Sequence, residues 1–257
     1  MKNKKLKRMV AIFLALSILL CLSACSGKDD GKPKEDKAQN TPVEEDGNVI
    51  TDEKVSIDKN CKVGDYITFG SYEQDNNTSN GKEDIEWLVL DKQDDKVLVI
   101  SKYALDCQQY NPRSNNKNIT WEICALRSWL NDEFINAAFS ANEREMIPTV
   151  IVSADENPEF DTNPGNATKD QVFLLSIIEA NKYFSTDDAR KCEPTNYAVA
   201  NGVYVHRDSS NCLWWLRSPG HHQDDVTYVR YEGGVNENGY GADNDDCAVR
   251  PAMWITL

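Results

Sequence analysis

Histidine is scarce in this sequence. His206, His221 and His222 are the only three among 257 residues, and none sits in an HExxH pattern, so the helical zinc-protease site is excluded. No GxSxG elbow and no phosphate-cradling glycine loop occurs, so two further catalytic signatures are missing. Cations are short as well: 28 Lys and Arg face 42 Asp and Glu, a formal charge of −14. Nucleic acid and anionic lipid surfaces both demand a basic face, so neither fits as a partner. The same excess of carboxylates suits a soluble surface protein, and it suits calcium. A catalytic carboxylate pair is compatible with so acidic a chain, but no spacing singles one out.

Long apolar runs are also missing, with one exception. Lys2, Lys4, Lys5, Lys7 and Arg8 precede an apolar stretch from Met9 to Leu22. As a helix that stretch would reach roughly 21 Å, short of a bilayer core of about 30 Å, and a basic start with a short apolar core reads as a signal peptide. It ends in Leu22-Ser23-Ala24-Cys25, which matches the bacterial lipobox. Similarity to lipoproteins implies cleavage before Cys25 and a diacylglyceryl thioether on its sulfur, with palmitate-type acyl chains as the membrane anchor. Two or more chains hold a protein at a membrane where one does so only marginally. The domain order expected is a signal over 1–25, a tether over 26–54 and a folded domain over 55–257. The tether is rich in Lys, Asp, Glu, Gly and Pro, cannot bury enough surface to offset its ordering entropy, and would reach roughly 30 Å as a coil. The expected location is extracytoplasmic.

Cys21 would leave with the signal and Cys25 would carry lipid. Six cysteines then remain, an even number, which permits three disulfides in an exported chain. Sequence proximity suggests Cys107–Cys124 and Cys192–Cys212, with Cys61–Cys247 by elimination. Six buried free thiols are the alternative. No Cys or Cys/His spacing resembles a zinc site.

The folded domain opens with strand patterns at Tyr66–Phe69, Glu86–Leu90 and Val97–Ile100, the last two flanking a polar turn over 91–96. From Thr120, a plausible N-cap, apolar residues recur at Ile123, Leu126, Leu130, Phe134 and Ala137/Ala138, which predicts a helix. Ser140–Glu143 and Ser176–Glu179 are capping boxes for two more helices. Val172–Leu174 reads as a strand, and 194–200 as a helical turn or two. Strands return at Leu213–Arg217, Val226–Tyr231 and Ala248–Leu257, while 236–246 reads as a polar, glycine-bearing loop. The fold class is α+β.

Six blocks occur together: FGSYEQ (69–74), IEWLVL (85–90), SKYALD (101–106), LRSWLN (126–131), WWLRSPG (214–220) and AVRPAMWI (248–255). Over roughly 60–257 they resemble a family of bacterial secreted domains with no assigned function. That family is similar to the C-type-lectin-like fold of formylglycine-generating enzymes. The resemblance implies paired terminal strands, flanking helices and long loops on one face, and it fits Cys61 near Cys247. The copper-binding cysteine pair of those enzymes has no register here. The EPN, QPD and WND triplets with which C-type lectins hold calcium are absent.

Candidate ligand-binding residues are Trp214 and Trp215, as aromatic platforms; Arg217 and Arg250, for an anionic or hydroxyl-rich ligand; and Tyr110, Asn111 and Arg113 from the loop before the helix. Their alternative roles are core packing for the tryptophans and structural struts for the arginines. Asp243, Asp245 and Asp246 offer hard oxygens for calcium, or form a solvated acidic turn. Asp75, Asn77, Ser79 and Glu86 fall at EF-hand positions, but Gly81 is out of place and a hairpin loop fits better. His221, His222, Asp224 and Asp225 form a further polar group, read as a metal site or a plain surface loop. The leading expectation is a lipid-anchored, non-catalytic binding domain for a glycan, cell-wall fragment or surface protein. An envelope or glycan-processing enzyme and a structural envelope protein are the alternatives.

Overall fold

The first sheet of the domain grows from a meander. β1 (Tyr66–Tyr72), β2 (Glu83–Gln93) and β3 (Lys96–Ser101) pair antiparallel in sequence order. Along β2, Ile85, Trp87 and Val89 turn inward at every second position, as a half-buried strand requires. Gln93 faces Lys96, which leaves the two-residue turn Asp94-Asp95, with Asp94 in the left-handed region at φ 46°. The computed structural model describes residues 57–113 and 118–257. The expected signal, lipobox Cys25 and tether lie outside the described residues.

After the meander come β4 (Asp106–Cys107), β5 (Val150–Val152), β6 (Thr168–Asp170), β7 (Val172–Phe173), β8 (Trp214–Pro219), β9 (Asp225–Val229), β10 (Val235–Gly241), β11 (Ala248–Val249) and β12 (Ala252–Thr256). The helices are short: α1 (Ala125–Trp129), α2 (Ile135–Ala138), α3 (Ala141–Glu145), α4 (Ile177–Tyr183), α5 (Asp187–Arg190) and α6 (Asn196–Ala200). The fold is mixed α+β with three sheets among the described residues. One runs β1-β2-β3-β12-β7, a second β10-β9-β8-β11-β4, and a third pairs β5 with β6. The C-terminal segment serves the first two, passing from β11 to β12 through Arg250-Pro251. Proline has no N–H to donate, and its carbonyl accepts from Ser101 N at 3.0 Å.

Three expectations need correcting. The last strand is not the neighbour of the first: β12 lies between β3 and β7, while β1 is the sheet's outer edge. The helix predicted from Thr120 begins later. Thr120 makes no side-chain cap; Cys124 Sγ caps α1 by accepting from Arg127 N, and Ile123, in a 3₁₀ turn ahead of it, stays 54 % exposed. Leu126, Leu130, Phe134 and Ala138 then bury at strict four-residue intervals. An α-helix drifts on such spacing, and a π turn over Leu130–Phe134 takes up the drift. Both predicted capping boxes form, at α3 and α4.

The stretch read as a loop over 236–246 is largely strand. β10 pairs with β9 through a register shift between Asn236 and Tyr240. Gly239 sits in that bulge at φ 83°, where a Cβ would lie 3.0 Å from Val226 backbone atoms. Its polar, exposed side chains hid the pairing.

Candidate functional site

The residues expected to bind ligand form a frame. Trp214 and Trp215 alternate across β8 as strand residues do, yet each is 0 % exposed because both faces of β8 are covered. Trp214 Nε1 donates to Arg190 O, and Trp215 Nε1 to Gln108 O, each at 3.1 Å. Tyr110 packs edge-on to Trp215 and donates its hydroxyl to Arg217 O at 3.2 Å.

Arg217 is 3 % exposed and fully engaged. It donates to Ser153 O, Leu174 O and Ser153 Oγ, and pairs with Asp155 at 3.0 Å and with Glu179. Those two carboxylates also tie down Ser176, the cap of α4. Arg250, also 3 % exposed, donates to Ser101 O and Arg190 O while its guanidinium lies over the rings of Phe184 and Trp214. A buried cation held this way is a strut. The two tryptophans, Tyr110, Arg217 and Arg250 are therefore withdrawn from the ligand-contacting set.

Asn111, 4 % exposed, lines a cavity that opens to the surface. Its N–H donates to Ala242 O at 2.8 Å and its Oδ1 accepts from Ala125 N at 3.1 Å, so it fixes the 108–113 loop between β10 and α1. Nearby, Gln109 Nε2 donates to Asp243 O at 2.6 Å, and Arg113 pairs with the Asp243 carboxylate. Ala242 N donates to Asp224 O at 2.9 Å. These contacts draw three separate segments around a cavity of about 430 Å³, lined by Asn111, Arg113, Ile119, Asp224, Asp225, Gly241, Ala242 and Asp243. Burial, and then the neighbouring Asp224, raises the Asp225 carboxyl above its ordinary value.

The 156–164 loop lines a second cavity, of about 540 Å³, beside the same turn. Asn157 donates to Pro219 O and Glu237 O, both at 2.8 Å, while Gln223 Nε2 donates to Asn163 O and Ile119 O. Phe160 stacks on His221, which stacks on His222. The histidines of the polar group are thus ring-packed, and Asp224 and Asp225 turn toward the first cavity. Of the residues lining the first cavity, the sequence singled out Asn111, Arg113, Asp224, Asp225 and Asp243. It missed Ile119, Gly241 and the 156–164 loop, whose residues carry no pattern that points to a site.

The calcium group does not assemble as expected. Among the described residues, the group of three or more metal-type ligands that converges is Glu73, Asp75 and Glu83, with oxygens within 4.8 Å of one another, rather than Asp243, Asp245 and Asp246. Asp243 is drawn to Arg113, and Asp246 Oδ1 is buried without a hydrogen-bond partner. Asp75 was read as part of the hairpin loop, and that loop supplies the convergent group. Its inner hydrogen bonds run from Gln74 N to Glu83 and from Asn77 N to Glu73.

The expected disulfides are not formed in this structure: Cys61, Cys107, Cys124, Cys192, Cys212 and Cys247 are all buried free thiols. Cys107 Sγ turns to the carbonyls of Asp245 and Cys247, and Cys124 Sγ to Trp121 O. Burial pushes the thiols of Cys107 and Cys124 up to about 12, so neither is a thiolate nucleophile at neutral pH.

Residues 94–257 match the family described as a domain of unknown function (DUF6273), and the chain belongs to that family. The match takes in SKYALD, LRSWLN, WWLRSPG and AVRPAMWI, and leaves FGSYEQ and IEWLVL before its first residue. No curated protein and no solved structure matches the chain.

Proposed function

We propose that this chain is a lipid-anchored, extracytoplasmic binding domain, without catalysis of its own, that takes a hydroxyl-rich cell-wall glycan at its loop face. The observation that carries this reading is the polar cleft of about 430 Å³, in which Arg113, Asp224, Asp225 and Asp243 converge from separate segments on a rigid, buried frame. Carboxylates and a guanidinium at one rim accept from and donate to sugar hydroxyls, and the carboxylates also favour an amino sugar. The plan is C-type-lectin-like on this reading, with short helices flanking the first sheet and the loops between 218 and 247 forming the binding face, although two strands separate β1 from β12 in that sheet. Lipid on Cys25 would hold that face outside the membrane at the end of the tether.

Two assays test the reading. Binding of the purified chain to isolated peptidoglycan is expected, reduced at least about tenfold by Asp225→Asn or Asp243→Asn, the loss of one charged hydrogen bond. Binding should tighten as pH rises through the raised Asp225 value, because the ionised carboxylate is the stronger acceptor. No binding, or binding indifferent to both variants, contradicts the site. Labelling of cells with radioactive palmitate should be lost in Cys25→Ser, and retained label would remove the anchor.

A further inference from the structure

We infer that Cys192 and Cys212 form a disulfide when the chain folds in an oxidising medium, a clasp that closes the excursion over 193–211. Cys192 follows α5 and Cys212 precedes β8, and the two are joined directly through the backbone. Cys212 N donates to Cys192 O at 2.9 Å, and Cys212 Sγ lies 3.4 Å from the same oxygen. Across one such bond, standard bond lengths keep the two Cα atoms within about 6.8 Å, the upper end of the range of about 4.4–6.8 Å that a disulfide spans. Both ends are pinned independently. Pro194 bridges to Ala104 with bonds on either side, and Val205 bridges to Cys212 beside a His206 N to Asn211 O bond. The two side chains also interact with each other. The Cys192 sulfur also faces carbonyls, of Lys102 at 3.6 Å and Glu193 at 3.5 Å, as those of Cys107 and Cys124 do, while Cys61 and Cys247 belong to segments flanking different sheets.

The chemistry is thiol–disulfide exchange with a small external disulfide. The thiolate of one cysteine attacks the external disulfide, releasing one thiol and leaving a mixed disulfide. The other cysteine then gives up its proton, attacks the first cysteine's sulfur and releases the second thiol. Two protons and two electrons leave the cysteines, and one external disulfide becomes two thiols. Both sulfurs are almost fully enclosed in the native fold, so exchange belongs to the folding chain, before the excursion seats.

The test uses the full chain, unfolded and reduced, then refolded in a reduced and oxidised glutathione buffer, alkylated and digested with trypsin. Cleavage after Lys191, Arg207 and Arg217 separates the two cysteines, so the bond would join peptide 192–207 to peptide 208–217. That linkage is expected in most molecules, with the remaining cysteines alkylated. Oxidation in denaturant, where native proximity is absent, should give mixed linkages instead. Alkylation of Cys192 and Cys212 after refolding, or predominance of another pairing, overturns the inference.

Discussion

At the residue scale, the buried polar groups are braces whose energetics depend on completeness. Tyr72 donates to Asp106 at 2.6 Å, and the same carboxylate accepts from Cys107 N and from Asn201. Burial raises the Asp106 carboxyl above its ordinary value against the pull of these donors, and burial beside Asp106 raises the Tyr72 phenol. A carboxyl raised in the fold contributes stability at low pH that is lost as pH rises through its folded value. Removing the phenol donor deepens that loss. Tyr72→Phe is therefore expected to cost about 1.5–3 kcal/mol at neutral pH and clearly less in acid below the raised Asp106 value, where the carboxyl is protonated. Urea unfolding at the two pH values measures it, and an equal or larger cost in acid would contradict the brace. Arg217 and Arg250 were visible as unusual arginines, yet sequence alone does not separate a strut from a ligand contact. The deciding facts are the carboxylates of Asp155 and Glu179 and the rings of Phe184 and Trp214, all distant in sequence.

At the element scale, what local chemistry dictates was legible. Capping boxes at Ser140 and Ser176 and the alternation in β2 depend on neighbours within a few residues, and they appear where read. β10 depends on a partner strand and a glycine bulge, so its polarity read as loop. The π turn arises from packing at four-residue intervals, which 3.6-residue periodicity approximates but does not resolve. The turn between β9 and β10 offers a direct check on such long-range docking. Gly233 sits at φ 90°, and a Cβ there would lie 1.8 Å from Asp187 O, while its own carbonyl accepts from Arg190 Nε. Gly233→Ala should lift this turn away from α5, at a cost of at least about 1–3 kcal/mol from backbone strain alone. Hydrogen exchange should quicken first in α5 and at Arg230–Gly234. Unchanged protection there would contradict the docking.

At the scale of the whole molecule, the family match begins at Asp94, but the first sheet does not. β1 and all of β2 precede that residue, and β2 covers β3, whose Val97, Leu98, Val99 and Ile100 are all buried. A chain cut to 94–257 would expose that strand as an apolar edge and is expected to lack cooperative unfolding or to aggregate. A sharp thermal transition near that of the whole chain would show the match span to be self-sufficient. The site was the least legible level. Its cleft is assembled by backbone bonds among residues near 111, 224 and 242, with side chains that carry no spacing signature.

The most direct test of the central claim is a glycan and peptidoglycan-fragment array probed with the wild-type chain beside Asp225→Asn and Asp243→Asn, in calcium and then in chelator. Selective binding by wild type, weakened at least about tenfold in both variants, is the predicted result. A blank array, or the same selectivity in all three proteins, would contradict a glycan site at this cleft.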